Sequence, residues 1–233
     1  MHHVLVLDGG GERVLVFLPG FMSAAESYAE VLRPVADAGA TVLVPQLYRR
    51  GVGALAGRVP VSSEAAAAAD LVRSTAAARG TRLVHLGGHS RGGQAAWRAA
   101  ALLSADGLPA GVVVVDPVDG AGRRPTEADA AARPAEFDVP TLIIGAGLGG
   151  RCAPEPVNHT VFAAAAPHAQ HVVVRGLGHA DLLDDRPRAL GRRLCPGGPD
   201  PDSARTCVSA LIVAFVAGAG LPTLGDAVDV VRA

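Results

Sequence analysis

The chain has 233 residues, a formal net charge of −1 and an apolar fraction of 49%. We expect residues 1–233 to form a single domain, which at this length buries roughly three quarters of its unfolded surface. No basic stripe indicates a nucleic acid partner, and no apolar run approaches the ~20 residues needed to span a membrane. All 21 basic residues are Arg, so Schiff-base catalysis, a Ser–Lys dyad and a P-loop lysine are excluded.

The N-terminus shows no signal peptide, because Met1, His2 and His3 run directly into an apolar, strand-like segment. We therefore expect a cytoplasmic protein, with secretion after removal of a leader as the alternative. Cys195 and Cys207 bracket a loop rich in Pro, Gly and Asp. This loop either closes as a disulfide or leaves free thiols. No spacing of Cys and His residues is typical of a zinc site.

Short β-branched runs alternate with Ala-rich stretches along the whole chain. Several of the runs are apolar on both faces, as is usual for parallel strands covered by helices on each side. Such alternation predicts a mostly parallel α/β sheet with right-handed crossovers. The sequence DGGG at residues 8–11 predicts a hairpin between the first two strands. Strands are predicted over residues 3–7, 14–18, 41–44, 82–86, 112–115, 141–144 and 171–174.

Capping residues and glycines mark the ends of the predicted helices. Ser23 with Glu26 predicts a capping box at the start of the first helix. That helix is expected to end near Gly39, and Pro34 to kink or shorten it. Further helices are predicted over residues 63–80 with Ser63 as the cap, then over 91–104, 160–166 and 182–190, and finally from residue 203 through 215.

Residues 88–92 read Gly-His-Ser-Arg-Gly and match the G-x-S-x-G pattern of a nucleophile elbow. The pattern alone is weak evidence in a chain this rich in Gly, but an apolar strand precedes it and an Ala-rich helix follows. In that setting the serine sits in a strained turn, and the helix N-terminus lies where an oxyanion develops. Ser90 is the predicted nucleophile, the alternative being a Gly-rich turn with Ser90 as a helix N-cap.

The predicted general base is His179. In proteins with a nucleophile elbow the base comes last, after Ser and then Asp or Glu. His179 follows the predicted strand 171–174 and meets this requirement. His159 and His168 flank a predicted helix and His171 opens a strand, so they are less suitable.

The predicted acid is Asp116, which ends the strand 112–115 and precedes Pro117. The active sites of open α/β sheets gather at this carboxyl edge of the strands. Glu155 and Asp119 are the alternatives, although Asp119 lies beyond the turn, where capping is its ordinary role.

Residues 18–21 (LPGF) close the second strand, where this arrangement supplies one oxyanion-hole donor. We predict that the backbone amides of Phe21 and Arg91 form the oxyanion hole. Met22, Leu47 and Tyr48 follow strand ends and are predicted to line an apolar substrate pocket, unless they belong to the core.

The segment 120–137 after Asp116 is polar and rich in Arg and Pro. It is too short for a large hydrophobic lid, so we expect an open site without a large cap domain. Arg123 and Arg124 are candidates to bind a substrate carboxylate, with solvated surface charge as the alternative.

The chain resembles chlorophyllase and its bacterial chlorophyllase-like relatives in the α/β-hydrolase superfamily. The matches are collinear and cover nearly the whole chain. The resemblance implies an α/β-hydrolase fold with a mostly parallel central sheet and helices on both faces. It also implies a serine esterase whose acid is Asp116, but it gives no chemical role to Asn158 and His159, for which capping or a pocket wall is expected. The matching stretches are VPQLY (44–48), GHSRGG (88–93), VDPVDG (115–120), CAPE (152–155), VNH (157–159), GHADLLDD (178–185) and VAF (213–215).

We therefore predict hydrolysis of a carboxylic ester of a hydrophobic alcohol or acid through an acyl-enzyme. The reaction needs no metal or organic cofactor, and the predicted partner is a small-molecule ester. Two alternatives use the same fold: a type II thioesterase or acyltransferase with the same catalytic residues, and a non-catalytic small-molecule binder.

Overall fold

The computed structural model describes residues 3–47, 60–120, 134–195 and 197–232. Within these residues eight strands form one sheet in the order β1-β3-β2-β4-β5-β6-β7-β8. Strands β2 to β7 run parallel, and β1 and β8 pair antiparallel at the two edges. The strands are β1 (Val4–Leu7), β2 (Val14–Leu18), β3 (Thr41–Pro45), β4 (Val84–His89), β5 (Gly111–Val115), β6 (Thr141–Leu148), β7 (Gln170–Gly178) and β8 (Val228–Arg232).

Helices cover both faces of the sheet. Helices α1 and α6 pack on one face, and α2, α3 and α4 pack on the other. No helix in the described ranges is both long and apolar enough to cross a membrane. The helices are α1 (Ala29–Asp37), α2 (Val61–Arg79), α3 (Arg91–Leu103), α4 (His159–Ala165), α5 (Asp185–Gly191) and α6 (Pro201–Ala217).

Strand β5 shows why the predicted strands are apolar on both faces. Val113 and Val115 pack in the core layer of α1 and α6, whereas Val112 and Val114 pack in the layer of α2, α3 and α4. All four side chains are fully buried. Burial of each contributes about 1.5 kcal/mol or more to folding. The expected mostly parallel sheet with helices on both faces is thereby confirmed.

The hairpin predicted at residues 8–11 is wrong. Strand β1 pairs with β3, which lies between β1 and β2 in the sheet. The glycine-rich segment packs against the end of α1 instead, because the Gly11 N–H donates to the Gly39 carbonyl at 3.0 Å. The edge strand β8 was not predicted from the sequence.

Two predicted helix starts are wrong. Ser23 does not cap α1, because a 3₁₀ turn from Ala25 to Tyr28 precedes that helix and no side chain caps the turn. Glu26 pairs with His3 instead, with 2.5 Å between Nε2 and Oε1. Ser63 lies inside α2, which begins at Val61 directly after Pro60.

The predicted helix ends agree better with the structure. Helix α1 ends at Asp37, close to Gly39, and continues through Pro34. Gly80 ends α2 in the left-handed conformation, with a φ of 61°, which glycine adopts at no steric cost.

Neither of the two alternatives for Cys195 and Cys207, a disulfide between them or two free thiols, is what the structure has. Cys195 is bonded to Cys152, with the two Cα atoms 5.6 Å apart, and Cys207 is a free thiol. Cys207 lies within α6 and packs against the core, whereas Cys152 lies in the loop after β6. Cys195 therefore pairs with a cysteine 43 residues earlier in the sequence and not with the nearby Cys207.

Candidate active site

Ser90 occupies the sharp turn between β4 and α3. Its φ of 55° and ψ of −123° are strained for a residue with a side chain. The Ser90 N–H donates to the Val115 carbonyl at 3.1 Å, which ties the turn to the end of β5. A Cβ on Gly92 would collide with the carbonyl oxygens of Leu18 and Pro19. Glycine at this position lets the start of α3 approach the end of β2.

His179 directly follows β7 and lies between the other two predicted residues. Its Nε2 is 2.9 Å from Ser90 Oγ, and its Nδ1 is 2.6 Å from Asp116 Oδ2. The other carboxylate oxygen of Asp116 accepts a hydrogen bond from the Ala146 N–H at 3.2 Å. Asp116 is wholly buried, and Ser90 and His179 are each 7% exposed. The structure thus brings the three predicted residues into one hydrogen-bonded row.

The alternative bases lie elsewhere. His159 and His171 are buried against each other, with 2.8 Å between Nδ1 and Nε2, and burial lowers the pKa of His159. His168 lies on the surface. Asn158 caps α4, because its side chain accepts a hydrogen bond from the Thr160 N–H at 3.0 Å. Capping is confirmed for Asn158.

The alternative acids also have other surroundings. Glu155 is exposed in a short 3₁₀ turn. Asp119 is buried and accepts a hydrogen bond from the Gln94 side-chain amide at 2.9 Å. Of the acid candidates, Asp116 is the one hydrogen-bonded to His179.

Asp181 organises the loop that carries His179, and sequence reasoning missed it. Its wholly buried carboxylate accepts hydrogen bonds from the N–H groups of Gly178 and Gly198, both at 2.8 Å. Arg192 Nε donates to the same carboxylate at 2.7 Å. Asp181 therefore joins the two sides of the loop by three hydrogen bonds. The sequence signal that could have identified Asp181 is the resemblance of residues 178–185 to the chlorophyllase family.

The loop after β2 places two apolar side chains at the surface. Phe21 and Met22 are 44% and 45% exposed, and Met22 has a φ of 62°. No hydrogen bond from the Phe21 amide to a residue in the described ranges is present. Leu47 is half-buried against the core layer of α2 and α3. Tyr48 lies outside the described residues, as do Arg123 and Arg124.

Arg91 begins α3 directly after Ser90. Its guanidinium donates two hydrogen bonds to one carboxylate oxygen of Glu64, at 3.0 and 2.8 Å. Glu64 lies in the first turn of α2 and is 4% exposed. This ion pair joins α2 to the start of α3 and leaves the backbone amide of Arg91 beside Ser90.

Tyr28 and His89 form a second buried pair beside the row, also missed from the sequence. The Tyr28 hydroxyl is 2.8 Å from His89 Nδ1 and accepts a hydrogen bond from the Gly20 N–H at 2.8 Å. Burial raises the pKa of Tyr28 to about 12. Burial and the neighbouring His179 imidazole lower the pKa of His89 well below its ordinary value. Both side chains are therefore neutral near pH 7.

No group of His, Cys, Asp and Glu side chains in the described ranges is arranged to hold a metal ion. The chemistry available at this edge of the sheet is that of a hydroxyl, an imidazole and a buried carboxylate.

Structural comparison places the chain among α/β hydrolases. A ferulic acid esterase from Streptomyces cinnamoneus superposes with a TM-score of 0.67 at 18% identity, covering 95% of this chain and 74% of that one. MGS-MChE2, an α/β hydrolase from a sediment metagenome, gives a TM-score of 0.59 at 19% identity, covering 83% and 92%. At these identities the likeness shows the fold.

Sequence comparison shows the family. The chlorophyllase family model matches residues 7–224. Chlorophyllase-1 of Citrus unshiu is 33% identical, covering 90% of this chain and 69% of the relative. Chlorophyllase-2 of Arabidopsis thaliana is 29% identical, covering 90% and 74%. These matches favour an ester hydrolase over the thioesterase and the non-catalytic binder. The chain belongs to the chlorophyllase family and is a carboxylic ester hydrolase.

Proposed function

We propose that Ser90, His179 and Asp116 hydrolyse a carboxylic ester through an acyl-enzyme. The supporting observation is the unbroken row of hydrogen bonds, in which the Ser90 hydroxyl is in reach of His179 and His179 is in reach of a buried carboxylate. A serine hydroxyl is a weak nucleophile until a base takes its proton. The strained backbone at Ser90 also supports a functional role.

The reaction has two steps. His179 Nε2 takes the Ser90 proton as Oγ attacks the ester carbonyl, and the resulting imidazolium then protonates the departing alcohol. In the second step His179 takes a proton from water, which attacks the acyl-enzyme and releases the acid and free Ser90. Asp116 accepts the Nδ1–H hydrogen bond throughout, which fixes the imidazole tautomer and stabilises its cation.

The negative charge on the carbonyl oxygen is held by the backbone amides of Phe21 and Arg91. Arg91 follows the nucleophile at the N-terminus of α3, where helix N–H groups lack an intrahelical partner. Close packing of the two loops supports the assignment of Phe21, because a Cβ on Gly20 would lie 3.3 Å from Ser90 Cβ. Removal of one such donor costs about 10²–10³ in turnover in serine hydrolases.

The substrate has a hydrophobic alcohol or acid. Phe21 in the proposed oxyanion-hole loop and Met22 directly after it expose apolar surface, where they can contact such a group. The relatives are named chlorophyllases, so the ester of chlorophyll belongs among the substrates to be tested. Of the predicted pocket residues in the described part of the chain, Phe21 and Met22 are exposed and support a hydrophobic substrate. Leu47 gives less support because it packs on the core.

Of the two expected locations, the cytoplasm and an oxidising compartment reached by secretion, the disulfide favours the second. The Cys152–Cys195 bond supports this assignment, because structural disulfides persist mainly outside the reducing cytosol. Thiol alkylation of the protein in its source cells, before lysis, tests it. A cytoplasmic protein would react at Cys152 and Cys195 as well as at Cys207.

An ester panel tests the proposed function. It contains chlorophyll, a short-chain nitrophenyl ester, the matched thioester and a polyester film. We expect hydrolysis of the nitrophenyl ester, and a loss on the order of 10⁶ in turnover in both Ser90→Ala and His179→Ala. Ser209→Ala is the matched control, because it removes a buried serine hydroxyl that donates to the Val31 carbonyl in another part of the fold. Preference for the thioester by a large factor would favour the thioesterase instead.

A further inference from the structure

The Tyr28 hydroxyl lies in the core although Tyr28 takes no part in the proposed reaction. The side chain is fully buried at the end of the 3₁₀ turn before α1. Its oxygen is 2.8 Å from the Gly20 nitrogen and 2.8 Å from His89 Nδ1. This buried hydroxyl connects the loop after β2 and the turn before α1 to His89, which is 61 residues further along the chain.

The Tyr28 hydroxyl has one proton to donate and two lone pairs. The Gly20 N–H donates to one of these lone pairs. The contact between the phenol oxygen and His89 Nδ1 is a second hydrogen bond, in which the tautomer of His89 sets which group donates.

Each partner of Tyr28 adjoins one part of the proposed machinery. Gly20 precedes Phe21, whose amide is a proposed oxyanion donor, and His89 precedes Ser90. The His89 ring also packs on the His179 ring, with centroids 4.7 Å apart. Gly20 fits tightly, because a Cβ there would lie 3.0 Å from His89 Nδ1 and 3.1 Å from the Tyr28 oxygen.

We propose that Tyr28 and His89 are positioning residues that hold the oxyanion-hole loop, the nucleophile turn and the His179 imidazole in register. This inference rests on the proposed function of Ser90 and His179. Tyr28 fixes the Gly20 peptide, and hence the direction in which the next amide points. His89 carries the constraint to Ser90 through the backbone and to His179 through ring packing.

The chemistry of His89 suits this role. The His89 ring is held by its hydrogen bond with the Tyr28 hydroxyl and by packing on the His179 ring. A neutral ring beside His179 does not repel the imidazolium that forms during the reaction. A cationic side chain at the same place would.

Tyr28→Phe tests the proposal by removing only the hydroxyl. It removes the hydroxyl that accepts the Gly20 N–H hydrogen bond, and with it the contact that holds this loop to Tyr28. Misplacement of a reacting group by about 1 Å costs roughly 10² in rate. We therefore expect kcat for a nitrophenyl ester to fall about 10- to 100-fold, with KM within about twofold of wild type. Affinity for a trifluoromethyl ketone, which mimics the oxyanion, should fall by a similar factor.

Two comparisons separate positioning from general stability. Ser209→Ala removes a buried hydroxyl hydrogen bond elsewhere, and we expect it to lower the melting temperature without changing kcat at 25 °C. His89→Asn keeps a hydrogen-bonding group near the Nδ1 position, whereas His89→Leu does not. We expect His89→Asn to retain more turnover than His89→Leu.

The outcomes are distinct. Wild-type kcat in Tyr28→Phe, a change in KM alone, or a kcat loss matched by Ser209→Ala would each overturn the positioning role. Ser90→Ala is assayed in parallel as a test of the proposed function. An active Ser90→Ala contradicts that function itself. An inactive Ser90→Ala with an unimpaired Tyr28→Phe contradicts only this inference.

Discussion

Nδ1 of His179 lies 2.6 Å from Oδ2 of Asp116, although 63 residues separate the two in the sequence. The parallel sheet creates this contact. Asp116 follows β5 and His179 follows β7, so both leave the sheet at its carboxyl edge. The backbone at Asp116 has a φ of 40°, an unusual conformation that points to a functional constraint.

Asp116→Asn should lower kcat by about 10⁴. The asparagine can present its N–H groups to Nδ1, which favours the tautomer with the proton on Nε2, and that tautomer cannot accept the Ser90 proton. Steady-state kinetics on a nitrophenyl ester measures the effect. Asp119→Asn is the matched control, because Asp119 is also buried and is held by Gln94 instead. An equal loss in Asp119→Asn, or none in Asp116→Asn, would contradict the assignment.

Asp181→Asn should weaken both folding and turnover. The substitution removes the negative charge that faces Arg192. It also replaces one of the two carboxylate oxygens, which accept hydrogen bonds from Arg192 and from the N–H groups of Gly178 and Gly198, by an amide group that cannot accept them. Asp181 is wholly buried whereas the Arg192 side chain is 32% exposed, so loss of these charge-assisted hydrogen bonds should lower the unfolding free energy by about 1–3 kcal/mol, and kcat should fall because the His179 loop loosens. Urea unfolding and steady-state kinetics measure the two effects.

The exposed Asp202 provides the comparison for Asp181. It pairs with Arg188 and Arg205 at the surface, where an ion pair contributes about 0–1 kcal/mol. Asp202→Asn should therefore leave unfolding and turnover nearly unchanged. Equal effects in the two variants would show that the buried position of Asp181 has no special role.

The disulfide predicts a simple thiol count. Of the three cysteines, Cys207 alone is free, so the unfolded protein should react with one thiol reagent per chain before reduction and with three after it. Cys195→Ser opens a bridge that spans 43 residues. We expect it to lower the unfolding free energy by about 2–4 kcal/mol.

Cys207→Ser is the matched control for Cys195→Ser and should cost much less, because it breaks no covalent bond. Three reactive thiols in the unreduced protein would contradict the Cys152–Cys195 pairing.

Stability should fall as the pH drops from 6.5 towards 4. Burial, together with repulsion from Arg13, lowers the pKa of His85 to about 4 from an ordinary value of 6.5. In that window the unfolded chain binds more protons than the folded one, so the unfolding free energy decreases on acidification. At pH 4, His85 lowers the unfolding free energy by about 3 kcal/mol relative to its value at neutral pH.

Lowered pKa values of His89 and His159 act in the same direction. Urea unfolding at several pH values measures the slope, and His85→Leu should reduce it while the surface variant His168→Leu keeps it. A slope that is unchanged in His85→Leu would contradict this account.

The sheet interior was predictable from the sequence, whereas its edges were not. Buried strands such as β5 consist of continuous apolar residues, because helices cover both faces. The edge strand β8 follows a turn and exposes Val231, so it lacks that signal. The wrong hairpin at residues 8–11 has a related cause. Glycines indicate a turn but not which strand the chain pairs with next.

The site was predictable where chain order limits the choice. Ser90, Asp116 and His179 each follow a strand, and the order of the three is characteristic of the fold. The supporting residues Tyr28, His89 and Asp181 carry no such signal, because their roles depend on contacts between distant segments. The Cys152–Cys195 bond was missed for the same reason.

Trapping of the acyl-enzyme tests the central claim most directly. The protein is mixed with a nitrophenyl ester, quenched with acid and digested, and the mass of each peptide locates the acyl group. We predict one acyl group per chain on the Ser90 side chain and none in Ser90→Ala. An acyl group on another residue, or near-wild-type turnover by Ser90→Ala, would contradict the account.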